Sequence, residues 1–390
     1  MMKYKALLPI AMLGVAPMLL ADNSPYLSRV YEFMPAPGQF TNVYPEFEEG
    51  DSYEKLLLQI EESICGGANP GLISLGSYGG YVIVGFDHPV INVAGQQDFK
   101  IAGNATLSMQ YSGGGSCEPG IVMVSVDANG DGIPNDTWYE LAGSDYYKDT
   151  TIHGYEITYY KPDEDKVMEP DADDKNINDM TYIRWTSNDS SEPEGYVMRN
   201  IWHSQSYWPQ WYEGDTITFK GTLLADNAVN VGTPDSPYFL LTPCEWGYSD
   251  NLPNNDDIGF DISWAVDENG NEVKLAKIDF IKIYTGLNQY CGWLGETSTE
   301  VCGGTDLHPE AVLEDSSVAL SEATESAISY RNGMIIVTTT EATPVAIYAT
   351  SGAVLYRTTL PAGTTHIDDA ILPAGVAIVA TPTSSLKLVK

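Results

Sequence analysis

Basic side chains are scarce: 19 Lys and Arg stand against 54 Asp and Glu in 390 residues, a net charge of −35. Such a surface repels phosphate backbones and anionic lipid headgroups, which argues against nucleic acid and negatively charged membranes as partners. Cysteine is also rare. Cys65, Cys117, Cys244, Cys291 and Cys302 contain no C-x-x-C spacing, so a zinc knuckle or dithiol redox centre is not expected. An odd count leaves at least one thiol unpaired in a monomer, while Cys291 and Cys302 are near enough to close a small loop. Beyond the N-terminus no apolar run is long enough to suggest a transmembrane helix. Catalytic signatures are missing too: there is no H-E-x-x-H, no G-x-S-x-G and no P-loop. The adjacent pair Asp87-His88 could orient and protonate, but neighbours on a strand point to opposite faces.

What is present reads first as an export signal. Lys3 and Lys5 precede an apolar stretch over residues 6–20, and residues 1–21 form a candidate signal peptide with cleavage after Ala21. "GDSYEKLLLQIEESIC" (residues 50–65) predicts the one convincing helix, with Asp51 and Glu54 at capping-box spacing and Leu57, Ile60 and Ile64 on one face. After it the sequence is rich in short β-branched and aromatic runs separated by Gly, Pro, Asn and Asp. "IDFIKIYT" is apolar at both parities and predicts a strand buried on both faces. The fold class expected is mainly β. It comprises a jelly-roll-like β-sandwich body over residues 22–310 with one N-terminal helix, of one or two subdomains, and a small immunoglobulin-like β-sandwich at the C-terminus. Residues 311–326 are small and polar and read as a linker to a β domain over 327–390, with Asn332-Gly333 as a hairpin turn. Four basic and five acidic side chains from Val318 onward leave nearly all of the net charge on the body.

Two constellations could carry function. In "DANGDGIPNDTWYE" (residues 127–140), oxygen donors recur at Asp127, Asn129 and Asp131, followed by Gly132 and the Ile133 carbonyl. These fit positions 1, 3, 5, 6 and 7 of a calcium loop. Position 12 is Trp138 instead of an acid, so Asp136 or Glu140 would have to close the shell. Ca²⁺ is therefore the expected cofactor, in a structural role. The second constellation is "NIWHSQSYWPQWY", in which Trp202, Tyr207, Trp208 and Trp211 could form a platform for a sugar or a flat macrocycle. The other reading is that these rings fill the core under a long loop. Asp256, Asp257 and Asp261 form a weaker acidic candidate.

Two resemblances add to this. "PVAIYATSGAVLYRTTL" and "ILPAGVAIVATPTSSLKLVK" resemble the C-terminal sorting domain of the Bacteroidetes type IX secretion system, through Ile347, Tyr348, Gly352, Leu372, Gly375, Lys387 and Lys390. Ala349 and Ala377 depart from its usual Asp and Tyr. The resemblance implies export across the outer membrane and surface attachment, with the secretion and attachment machinery as partner. "SLGSYGGYVIVGFDHPV", residues 118–146 and "QYCGWLGETSTEVCGGTDLH" resemble a family of Bacteroidetes cell-surface proteins, some described as PKD-domain proteins. That resemblance implies association with nutrient uptake, cobalamin included, and assigns no catalytic residues. The combined expectation is an exported, calcium-stabilised, non-enzymatic surface protein that binds an extracellular small molecule or glycan, a corrinoid or a sugar. Its rivals are a glycan hydrolase, which needs two carboxylates facing each other beside the Trp cluster, and a purely structural or adhesive protein.

Overall fold

The computed structural model describes residues 23–48, 50–233, 237–313, 327–331, 334–339, 342–349, 354–372, 376–381 and 385–389. The candidate signal peptide, most of the linker, the Asn332-Gly333 turn, Gly352, Gly375 and Lys390 lie outside the described residues. The chain is mainly β, with a single α-helix among the described residues, and no helix among them is long and apolar enough to cross a membrane. It divides into two compact units, residues 1–313 and 314–390.

The first unit is organised by a six-stranded antiparallel sheet. Its order is Arg29–Met34, Tyr81–Gly85, Phe280–Thr285, Gly120–Ser125, Trp138–Leu141 and Ala265–Val266. Phe280–Thr285 is the strand foreseen from its double-parity apolar pattern, and its central place explains that pattern. Ile281 pairs with Val84 and Val124, and Ile283 with Val82 and Val122. These rows face one core, which the helix Tyr53–Ile64 covers with Leu56, Ile60 and Ile64. The helix is capped one residue later than the sequence suggested. Ser52 accepts the Lys55 amide, while Asp51 holds the Lys55 ammonium at 2.6 Å. Leu56 takes the fully buried place expected of Leu57, which packs at the edge of the same core.

On the opposite face, Tyr284 pairs with Tyr81 and Ile121, and Lys282 lies between Ile83 and Met123. The Lys282 ammonium sits 3.9 Å from the Tyr81 ring centre, and the Tyr81 hydroxyl donates to Glu32 at 2.6 Å. A four-stranded antiparallel sheet packs here, in the order Glu194–Asn200, Ile177–Ser187, Ile152–Tyr160 and Thr216–Leu223. Tyr155, Ile157, Tyr159 and Phe219 from that sheet meet Tyr284 and Ile121, closing the sandwich. At Gly79 (φ +86°) a Cβ would overlap the Phe219 side chain, so this left-handed turn allows the two sheets to approach.

All five cysteines are free thiols. The Cys291–Cys302 loop closure is not made: Cys291 packs against Cys117 and Leu241 instead. Burial pushes all five thiols up to about 12, so none is a ready nucleophile.

The second unit holds a three-stranded sheet (Ala327–Arg331, Met334–Thr339, Gly363–Asp368) and a four-stranded one. The latter runs in the order Val354–Leu360, Thr343–Ala349, Val376–Ala380, Ser385–Val389. Ile335, Val337, Val345, Ile347, Val379 and Leu388 form its core. Ala349 and Ala377, the two departures from the sorting-domain pattern, are direct cross-strand partners.

Candidate functional site

The aromatic segment splits between the core and the surface. Asn200, at the end of its strand, accepts the Trp202 and His203 amides through Oδ1, each at 3.0 Å, and donates to Gln39 Oε1 at 2.6 Å. That turn throws Trp202 outward, where it is 64% exposed. The chain then dives inward. Tyr207 is fully buried, 5.2 Å edge-on to Tyr182, and Trp208 is only 3% exposed. Trp211 stacks on Phe33 at 5.9 Å and tilts against Phe47. The expected platform of four rings is therefore not assembled. Tyr207, Trp208 and Trp211 serve packing, because their apolar area is worth more inside the sandwich than at its surface.

Trp202 stands at the mouth of a pocket of about 560 Å³. Phe40, Tyr44, His203 and Leu294 complete its apolar wall, and the Phe40 and His203 rings meet edge-on at 4.7 Å. Burial holds the His203 imidazole below its usual pKa, which favours its neutral form. Asn104, Ser116, Glu118, Ser298 and Glu300 supply polar groups.

Behind this polar wall three carboxyl groups converge. One oxygen from each of Glu118, Asp250 and Glu300 lies within 4.8 Å of the others. Asp250, in a left-handed conformation (φ +50°), accepts the Asn104 and Ala105 amides through Oδ1 at 2.7 and 2.8 Å. Its Oδ2 accepts the Glu300 amide at 2.9 Å. Glu118 accepts the Ser298 amide, and Glu300 accepts the Ser298 hydroxyl at 2.6 Å. Burial, and then repulsion from Glu300, pushes Glu118 and Asp250 well above the usual carboxyl range, and burial raises Glu300 to about 7. None of these acids stood out in the sequence. They sit in "SCEPG", "YSDNL" and "TSTEV", far apart in the chain, and only the sheet pairing brings them together.

The candidate calcium loop is exposed and tightly wound. Asp127 Oδ1 accepts the Gly130 and Asp131 amides at 2.7 and 3.1 Å, and its Oδ2 accepts the Gly132 amide at 2.9 Å. Asn129 accepts the Asp131 amide and Asp131 the Ile133 amide, each at 2.8 Å, while Asp136 accepts the Ala128 amide at 3.1 Å. The Ile133 carbonyl accepts the Asn135 amide at 2.8 Å. The side-chain oxygens of Asp127, Asn129, Asp131 and Asp136 thus accept amides of their own loop, and among the described residues the acids whose oxygens converge are Glu118, Asp250 and Glu300. Glu140 does not join the loop. It lies on the Trp138–Leu141 strand and points between the sheets, where it accepts the Thr222 hydroxyl at 2.7 Å and burial raises it to about 7.

Of the weaker acidic candidates, Asp261 caps a short 3-10 turn by accepting the Ser263 amide. Asp87 and His88 occupy a bend instead of a strand, so they do meet. His88 Nδ1 lies 2.6 Å from Asp87, and its Nε2 lies 2.8 Å from the buried Asp306. Asp87 also accepts the Ser24 amide at 3.3 Å, so this bridge ties the N-terminal segment to residue 306. No protein-family profile matches the sequence, and a search among curated proteins finds no match.

Proposed function

We propose that the chain is an exported, non-enzymatic capture protein that holds a sugar-like nutrient in the pocket beneath Trp202, with calcium bracing the loop at residues 127–136. The observation that carries this reading is an exposed indole at the mouth of a cavity whose wall bears Asn104, Ser298, Glu118 and Glu300. A sugar ring offers a C–H face for the indole and hydroxyls for the amide and carboxyl oxygens. The volume falls within the ~300–1,000 Å³ of small-molecule sites. A corrinoid with its nucleotide tail is larger than this cavity and could place only part of itself inside. The acidic surface repels anionic ligands. The C-terminal β unit is proposed as the sorting and attachment signal, which makes the outer-membrane secretion machinery a partner and the cell surface the location.

A hydrolase is the second reading, because two carboxyl groups do reach the pocket wall. Their geometry favours capture. Retaining glycosidases hold their carboxyls about 5–5.5 Å apart and inverting ones about 6.5–9.5 Å apart, leaving room for the anomeric centre or a water. One oxygen of Glu118 and one of Glu300 lie within 4.8 Å of each other, closer than either spacing.

Titration of soluble glycans and cobalamin against the full chain, read by tryptophan fluorescence, tests the proposal. A glycan should bind saturably and return unaltered. Trp202→Ala should weaken it at least about tenfold, roughly 1.4 kcal/mol, with little change in Tm. Glycan cleavage lost in Glu118→Gln would establish the hydrolase. The absence of binding by any member of the panel would reject capture. Calcium has a separate test: a ligand present at 100 times its Kd stabilises by about 2.7 kcal/mol, so chelation should lower Tm by several degrees. Asp127→Ala with Asp131→Ala should abolish that difference, and an unchanged Tm on chelation of the wild type would refute the calcium site.

A further inference from the structure

The segment at residues 296–300 separates two cavities. Ser298 and Glu300 face the Trp202 pocket, whereas Glu296 and Thr297 line a second cavity of about 390 Å³. Two residues of its lining each carry a buried polar atom that lacks a partner. Glu296 is only 6% exposed; its Oε1 accepts the Gln39 amide at 2.6 Å, but its Oε2 has no hydrogen-bond partner, and neither has the Tyr290 hydroxyl. A buried carboxyl oxygen without a partner is costly, and such exceptions mark places where a ligand completes the shell.

The walls specify the ligand's charge. Trp185 and Phe239 supply aromatic surface, and Glu192 and Asp226 stand exposed at the lining. No Lys, Arg or His lines the cavity. Anions are therefore repelled, while a cation meets aromatic rings and the outer acids, and at Glu296, whose carboxyl burial raises to about 8, it takes the place of the proton. Two further contacts fix the shape. Asn288 donates to the Tyr155 hydroxyl at 3.2 Å, and Gln289 is held by Asn227 through contacts at 2.6 and 3.1 Å. The wall is thus preformed.

We propose that this second cavity binds a small organic ammonium ion, with the ammonium on Glu296 Oε2 and the Tyr290 hydroxyl and the outer acids Glu192 and Asp226 attracting it from solvent. The proposal is independent of the sugar pocket and stands or falls separately.

Calorimetric titration of the full chain with putrescine, and with 1,4-butanediol as its uncharged counterpart of similar length, is the test. Putrescine should bind saturably, and butanediol at least about tenfold more weakly. Glu296→Gln keeps the shape and the acceptor for the Gln39 amide, and it should weaken putrescine at least about tenfold. Glu192→Gln with Asp226→Asn, both on the surface, should weaken it several-fold with an unchanged Tm and reduce its salt dependence. Trp202→Ala should leave putrescine binding intact. Equal binding of diol and diamine, absence of putrescine binding, or full affinity in a folded Glu192→Gln/Asp226→Asn protein together with Glu296→Gln would overturn the proposal.

Discussion

Trp208→Ala should destabilise the protein by roughly 3–5 kcal/mol, the range for removing a large aromatic side chain from a core. Trp202→Ala, six residues earlier, should change stability by less than about 0.5 kcal/mol, as exposed substitutions do. The contrast follows from the turn at Asn200. It turns Trp202 into solvent and sends Trp208 among Tyr182, Tyr207 and Tyr212, where only 3% of its surface remains accessible. Urea unfolding followed by circular dichroism measures both. Equal effects of the two substitutions would mean that Trp208 is not in the core, and the inward path of residues 204–212 would be wrong.

The second large effect is on pH dependence, and its sign is opposite to that of a protein held by salt-bridged carboxylates. Burial raises Asp98 to about 6, Glu140 and Glu300 to about 7, and Glu296 to about 8, from ordinary values of 3.8 for Asp and 4.5 for Glu. The folded state therefore binds more protons than the unfolded chain between about pH 4.5 and 8. Stability is fully present below the unfolded values and is lost as pH rises through the folded ones. At about 1.4 kcal/mol per unit, Glu140 alone corresponds to up to about 3 kcal/mol. Exposed acids such as Asp131 and Asp267, which are held low by local hydrogen bonds, act the other way only at more acidic pH. Tm at fixed calcium should be several degrees higher at pH 5.5 than at pH 8.5. Glu140→Gln, which keeps an acceptor for Thr222, should flatten that slope chiefly by raising Tm at pH 8.5. A Tm that climbs with pH over this range would contradict the buried, uncompensated state of these acids.

Much of the sheet framework was legible because strand periodicity is local. "IDFIKIYT" announced a strand buried on both faces, and Phe280–Thr285 is the centre of the main sheet. The strands Ile177–Ser187 and Glu194–Asn200 were not anticipated. They follow or flank acidic turns, and the first mixes Asp179, Arg184 and Thr with its apolar positions, which blurs the alternation. The helix was legible and its cap was misplaced by one residue, because Asp51 and Ser52 are both good caps and only the backbone decides. The candidate site was mostly illegible. Trp202 was visible as a ring, but exposure depends on the turn at Asn200, a tertiary property fixed by Gln39. Glu118, Asp250 and Glu300 are three acids among 54, joined by no motif. Their convergence comes from long-range contacts that no window of sequence contains. Glu140 was drawn into the calcium loop by proximity in sequence, yet strand alternation turns it toward Thr222 and away from the loop.

The central claim is that the pocket under Trp202 is where ligand is held. Amide hydrogen exchange, measured on the full chain with and without a saturating glycan from the panel, tests this most directly. Added protection should concentrate in the segments that wall the pocket, near Gln39–Tyr44, Asn104, Ser116–Glu118, Trp202–His203 and Ser298–Glu300. Protection confined to other segments, with these five unchanged, would contradict the account.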